Sequence, residues 1–249
     1  MPFISQCTAL RFLDYFEHNN FWTWKVLQTF LYCVSISDIA LMADFKPTIG
    51  ILGHSFIHRL STDITRNVFP RGFNLKQCAT VQQGSGGFQV CRPGARREHS
   101  QWVRCNFSRV FGDFLLRHTP SVVILQLGEN DLDSNSEPLV VASMIDEIVS
   151  LLQETYNVKI VMICELFPRK SPSSPPARYE ANRRQLNSLL TTLFEVREGV
   201  TFWRHRRIFN AETDIFTADG VHLNVFGQQR FYRSLRHAIM TSVRLIDDS

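Results

Sequence analysis

From residue 47 onward, short apolar runs alternate with longer segments whose apolar positions recur every three or four residues. The runs at 48–52, 73–81, 121–127, 158–164 and 200–203 predict strands. Residues 121–127, S-V-V-I-L-Q-L, are apolar almost throughout, as a central parallel strand covered on both faces requires. Helical spacing lies between the strands: over 56–68; at Val103, Phe107, Val110, Phe111, Phe114 and Leu115; at Leu139, Ala142, Ile145, Ile148, Leu151 and Leu152; over 177–198; and from Asn224 to about Val243. Five alternations of strand and helix predict an α/β fold. The expected form is a flavodoxin-like three-layer αβα arrangement, with about five mostly parallel strands, helices on both faces and right-handed crossovers.

The punctuation fits this order. Pro47 opens the first strand where a missing N–H is tolerated, Gly128 closes the third, Pro138 begins a helix capped by Ser136, and Gly199 is placed as a C-cap. Two loops stand out: 82–87, Q-Q-G-S-G-G, and 168–176, whose prolines and serines exclude regular structure. The domain is expected over 44–249. Ahead of it, 9–17 and 24–42 read as helices parted by His18-Asn19-Asn20, a helical N-terminal extension over 1–43 that would contact a partner or a neighbouring region. Its most apolar part, 30–43, is interrupted by Asp38 and falls short of the roughly 20 apolar residues of a membrane span. It also lies too far from residue 1 for a cleavable leader. A cytoplasmic chain is expected, with a secreted or membrane-associated one as the alternative.

Composition adds less. The 249 residues are 44% hydrophobic with 20 phenylalanines, enough for one aromatic-rich core. Six scattered cysteines without a C-x-x-C pair argue against a zinc knuckle or a dense disulfide framework, and are read as mostly reduced and buried. The net charge is only +4, yet 22 of the 27 basic residues are arginine. They bunch at Arg92, Arg96, Arg97, Arg104 and Arg109, at Arg204, Arg206 and Arg207, and at Arg230, Arg233 and Arg236. Each bunch is either a solvated face with local acidic partners or an attractor for nucleic acid or anionic lipid.

Chemistry gathers at the strand ends. Gly53-His54-Ser55 puts a serine hydroxyl at the carboxyl end of the first strand, where open α/β sheets bind ligands. Such a hydroxyl is a weak nucleophile until a base takes its proton. Asp219-Gly220-Val221-His222 offers one: His222 as base, with Asp219 three residues back to hold its tautomer. Glycines at 84–87 and the amide of Asn130 in Gly128-Glu129-Asn130-Asp131 offer donors for a developing oxyanion. Each has a plainer alternative: Ser55 as a helix N-cap, His222 as a structural histidine, Asn130 as a local turn contact, and the glycines as a flexible turn.

Taken together and in this order, the blocks resemble those of the GDSL-like, or SGNH, hydrolase superfamily over about 46–243. The likeness implies Ser55 as nucleophile, His222 and Asp219 as base and orienter, and an oxyanion hole from the amides of Ser55 and Gly87, with Gly86 as the alternative, and the side chain of Asn130. Gly53, His54, Gly86, Gly128 and Asp131 would support the site, Asp131 by holding its loop. The family places aspartate where His54 stands, which puts full activity in question. His54 and His58, four residues apart, lack a third ligand at sensible spacing, so no metal and no organic cofactor is expected. The Gly-His-Ser block and the ending D-G-V-H-L-N-V-F-G-Q-Q-R-F-Y-R-S-L-R are similar to esterase-type domains of animal genomes, some of them retrotransposon-encoded. The implied function is a serine esterase acting on a small acyl or acetyl ester. The alternative is a catalytically weak domain of the same fold that binds nucleic acid or an anionic surface. Pocket depth would be set by 133–137 and 168–176.

Overall fold

The computed structural model describes residues 46–92, 100–206, 208 and 214–247. The expected extension over 1–43, with Cys7 and Cys33, lies outside them, as do Arg96, Arg97 and Arg207.

Five strands form one sheet: β1 (Thr48–Gly53), β2 (Ala79–Gly84), β3 (Val122–Gln126), β4 (Ile160–Cys164) and β5 (Val200–Trp203), in the order β2-β1-β3-β4-β5. Every neighbouring pair is parallel. Around the sheet run α1 (Ser55–Thr65), α2 (Ser100–His118), α3 (Glu129–Asp133), α4 (Pro138–Tyr156), α5 (Pro176–Glu195) and α6 (Val225–Asp247).

Alternation along the strands assigns the faces. Ile49, Ile51, Val122, Ile124, Ile160 and Met162 join Phe56, Ile57, Leu60, Phe231, Leu235 and Ile239 in one core, under α1 and α6. Leu52, Val123, Leu125, Val161 and Ile163 point the other way, into a second core with residues of α2, α4 and α5. A period of two in the strands against one of 3.6 in the helices permits this two-sided burial. Each fully buried Leu, Ile or Phe contributes about 1.5–3 kcal/mol.

The strand order places a switch point between β1 and β3, where the chain reverses its winding direction and a crevice opens at the carboxyl ends. His54 N–H donates to Gln126 O at 3.4 Å across that crevice. Ser55 follows one strand and Gly128 the other, so the topology alone brings the first and third blocks together.

Local boundaries differ from the expected ones for identifiable reasons. The second strand is Ala79–Gly84, later than 73–81. Gly72, Phe73 and Asn74 all have positive φ, which breaks extension, and Phe73 instead stacks on Tyr232 at 4.6 Å. The loop after Gly128 begins as the short helix α3. Glu137 rather than Ser136 precedes α4, without a side-chain cap. Gly199 is not a C-cap: α5 ends at Glu195, and Gly199 turns the chain into β5 with φ +69°. The cap of α6 is as expected, Asn224 Oδ1 accepting from Gly227 N–H at 3.0 Å.

Cys78, Cys91 and Cys164 are buried, and Cys105 is exposed. Arg104 pairs with Glu147 and Glu154, and Arg236 donates to Phe73 O, so these two arginines have local partners. No described helix is long and apolar enough to cross a membrane.

Gly84 marks the closest approach of sheet and helix. A Cβ there would lie 2.0 Å from the His58 backbone nitrogen. Gly84→Ala is therefore expected to destabilise the fold by at least the ~1–3 kcal/mol typical of overpacking, read as a lower urea midpoint. An unchanged midpoint would mean that β2 and α1 separate freely.

Candidate active site

Ser55 is the first residue of α1, with His54 at the N-cap and no side-chain capping bond. It is thus not the helix cap. Its N–H is one of the orphan donors of a helix start. Its Oγ lies 3.4 Å from His54 Nδ1.

Asp219 and His222 meet on the turn before α6. His222 Nδ1 is 2.7 Å from Asp219 Oδ2, while Asp219 Oδ1 accepts from the N–H groups of Val221 and His222 and from Thr217 Oγ1. Slight burial works toward a higher pKa for Asp219, but these donors outweigh it and hold the carboxyl well below its ordinary range. Asp219 is therefore an anion that faces the ring and requires a hydrogen on Nδ1, so that in the neutral ring Nε2 is the acceptor. The ring stands beside the serine turn, 6.2 Å from that of Phe56, the residue after Ser55. Among the described residues no hydrogen bond joins Ser55 Oγ to His222. Such bonds are often long in unliganded sites and tighten with substrate.

The glycine loop forms a turn closed by Phe88 N–H to Ser85 O at 3.2 Å, with Gly87 in third position at φ +72°, the pattern of a type II turn. Its edge is open, since a Cβ on Gly86 or Gly87 would touch nothing within 4 Å. Asn130 lies opposite. One hydrogen of its amide goes to Phe88 O at 3.0 Å, which ties the two loops together and leaves the amide's other hydrogen available as a donor.

Two residues that the sequence reading passed over hold this arrangement. Arg169 donates to Asn130 Oδ1 at 2.7 Å and to Asp133 Oδ2 at 2.5 Å. With Oδ1 engaged by a cation, the Asn130 amide cannot flip, and its NH₂ is committed to the loop side. The segment around Arg169 reaches the base as well: Lys170 and Ser171 N–H groups donate to Gly220 O at 2.7 and 3.1 Å. Gly220 sits at φ +65°, and an added Cβ would be 2.5 Å from Ser171 Oγ. The proline-rich loop, expected to shape a pocket, thus straps the oxyanion side to the base turn. Its composition announced a loop; only the fold places it. The second residue is Glu129, fully buried, whose carboxylate takes His54 Nε2 at 2.6 Å. Burial would raise its pKa, but the charge and hydrogen bond of His54 and the Phe167 N–H prevail and hold it at about 2. His54 and His58, weighed together as metal ligands, part company: the first is buried on Glu129 and the second is exposed.

A model of the GDSL-like lipase/acylhydrolase family matches residues 58–230. The chain belongs to that family. The match opens just past Ser55, so the departing Gly-His-Ser block stands outside it. A search of curated protein sequences gives no match. Solved structures with the same fold include an acetyl esterase mutant with acetate ion (15% identity, TM-score 0.55, covering 80% of this chain and 99% of that one). A family 3 carbohydrate esterase of Clostridium thermocellum matches at 16% identity and TM-score 0.52, over 81% and 99% of the two chains. One of the same class from Talaromyces cellulolyticus matches at 17% and 0.53, over 82% and 99%. At these identities the likeness establishes the three-layer α/β fold, and the family itself is one of ester hydrolases.

Asp131 Oδ1 accepts from Cys91 N–H at 2.8 Å, which ties its turn to the segment beyond the glycines. Burial pushes its pKa up to about 7 despite that bond and others from the same loop. Its Oδ2 has no partner among the described residues. Between pH 4 and 7 the unfolded chain ionises this group while the folded one keeps the proton, so folding binds the extra proton and stability falls as pH rises. The loss is complete above the folded pKa and is on the order of 4 kcal/mol. Asp131→Asn is expected to flatten the decline of unfolding free energy between pH 5 and 8, whatever constant cost the amide brings. Parallel pH curves for the two proteins would exclude the assignment.

Proposed function

We propose that the chain is a serine esterase that cleaves a carboxylic ester of a small acyl group through an acyl-enzyme. The observation that carries this reading is the Asp219–His222 pair, poised beside the serine turn with Nε2 unoccupied among the described residues.

In the proposed reaction, Ser55 Oγ attacks the ester carbonyl carbon while its proton passes to His222 Nε2. The negative oxygen that develops accepts hydrogen bonds from Ser55 N–H, Gly87 N–H and the free amide hydrogen of Asn130. The tetrahedral species collapses, the alcohol oxygen departs with the proton from His222, and the acyl group stays on Ser55. Water then attacks the acyl carbon and gives its proton to His222, which returns it to Ser55 as the acid leaves. Asp219 remains ionised throughout and stabilises the imidazolium. His54 is compatible with this scheme because it does not displace the base. The acetyl esterase among the structural neighbours supports a small acyl group, and the Gly-His-Ser block supports a place among the esterase-type domains of animal genomes. Residues 44–249 would form the hydrolase and 1–43 an extension to it.

Hydrolysis of p-nitrophenyl acetate tests the roles. Ser55→Ala or His222→Ala is expected to lower kcat by a factor on the order of 10⁴ or more, and Asn130→Ala by about 10²–10³. A Ser55→Ala protein as active as the parent would remove Ser55 from the mechanism.

A further inference from the structure

Beneath Ser55 runs a buried polar chain that the reaction above leaves unused. Its direction follows from groups that have only one possible role. Trp203 Nε1 can only donate, and meets Ser234 Oγ at 3.1 Å. Ser234 Oγ lies 2.8 Å from His205 Nδ1. At the far side Gln126 Nε2 donates to Glu129 Oε1 at 2.5 Å and to Glu165 O at 3.2 Å, which turns its acceptor oxygen toward His205 Nε2, 3.0 Å away. Burial pushes the His205 pKa down to about 3, so that ring is neutral and its one hydrogen sits on Nε2. Every donor in this chain therefore points toward Glu129. Phe167 N–H joins Gln126 on Oε1 at 3.1 Å, and His54 Nε2 meets Oε2 at 2.6 Å. With Glu129 an acceptor only, one hydrogen of His54 is fixed on Nε2, and the ring's other nitrogen, Nδ1, faces Ser55 Oγ.

We propose that Glu129 is a positioning residue for the nucleophile, acting through His54 to fix the side-chain rotamer of Ser55. The third block thereby supplies the carboxylate that the family keeps next to its serine. The ring stands against one side of Oγ, and Nδ1 as a donor to a lone pair there leaves the hydroxyl's one hydrogen to His222. This is more than packing. A buried histidine needing only a partner for Nε2 would be satisfied by Glu129 whatever its second nitrogen faced, whereas here that nitrogen faces the reacting oxygen. Phe56, 5.1 Å from the His54 ring, holds the imidazole on its flank. The inference rests on Ser55 being the nucleophile.

The test is the rate at which a fluorophosphonate labels Ser55 in the full chain, alongside kcat and KM for p-nitrophenyl acetate. Glu129→Gln is expected to slow labelling and lower kcat roughly 10- to 100-fold, the range for losing a charged hydrogen bond, with KM unchanged. Combined with His54→Asn it is expected to do no more than the worse single change, because the two act as one unit. An unchanged labelling rate in Glu129→Gln, or losses that multiply in the double variant, overturns the proposal while leaving the esterase reading intact. A parent protein that takes no label at Ser55 overturns both. Should Glu129→Gln fail to fold, nitrogen-15 NMR of the parent decides: Nε2 of the His54 ring is expected to hold a hydrogen without tautomer exchange, and a ring in fast exchange would overturn the proposal.

Discussion

A carboxylate sealed from water must be paired, since the cost of leaving it alone is several kcal/mol. At the carboxyl edge of this sheet, meeting that demand organises much of what surrounds the nucleophile. Glu129 draws donors from the residue before Ser55, from the end of β3 and from the segment beyond β4. Three strand ends are thereby locked to one another through a single charge. Because Gln126 is paired in the sheet and His54 follows directly on β1, the Ser55 turn inherits the rigidity of the sheet.

The other half of the site is organised differently. Asp219 and His222 sit on an exposed turn whose order comes from local bonds and from the strap formed by residues 169–171. That strap reaches Asn130 at one end and Gly220 at the other, so the Asn130 amide and the turn that carries His222 are referenced to the same short piece of backbone. A rigid Ser55 turn beside a strapped, more exposed His222 is the division that the proposed reaction asks of a site that must admit a substrate and still align a proton transfer.

Much of this could be read from residues alone, and the remainder could not for definable reasons. The five parallel strands were legible because burial on both faces leaves near-continuous apolar runs, and the blocks at Ser55, Asn130 and Asp219–His222 were legible because each is local in sequence. Strand β2 was misplaced because Phe73 is apolar for a different cause, stacking on Tyr232 from a stretch of positive φ that no periodicity reveals. Arg169 was invisible: an arginine in a proline-rich loop looks like surface until the fold turns it onto Asn130. Glu129 was hidden in plain view as the variable position of Gly-x-Asn-Asp. A lone acidic residue after an apolar strand normally faces solvent, and only the pairing with His54, 75 positions away, shows it to be interior.

The pairing also bears on how such a site can change over time. Aspartate at 54, the residue the wider family uses, would set two carboxylates against each other in a space closed to water, and one would have to remain protonated. Glutamine at 129 opposite an unchanged histidine would strand a hydrogen-bonding imidazole without its counter-charge. Neither half-step alone preserves the arrangement, so a change at either position calls for a compensating one at the other.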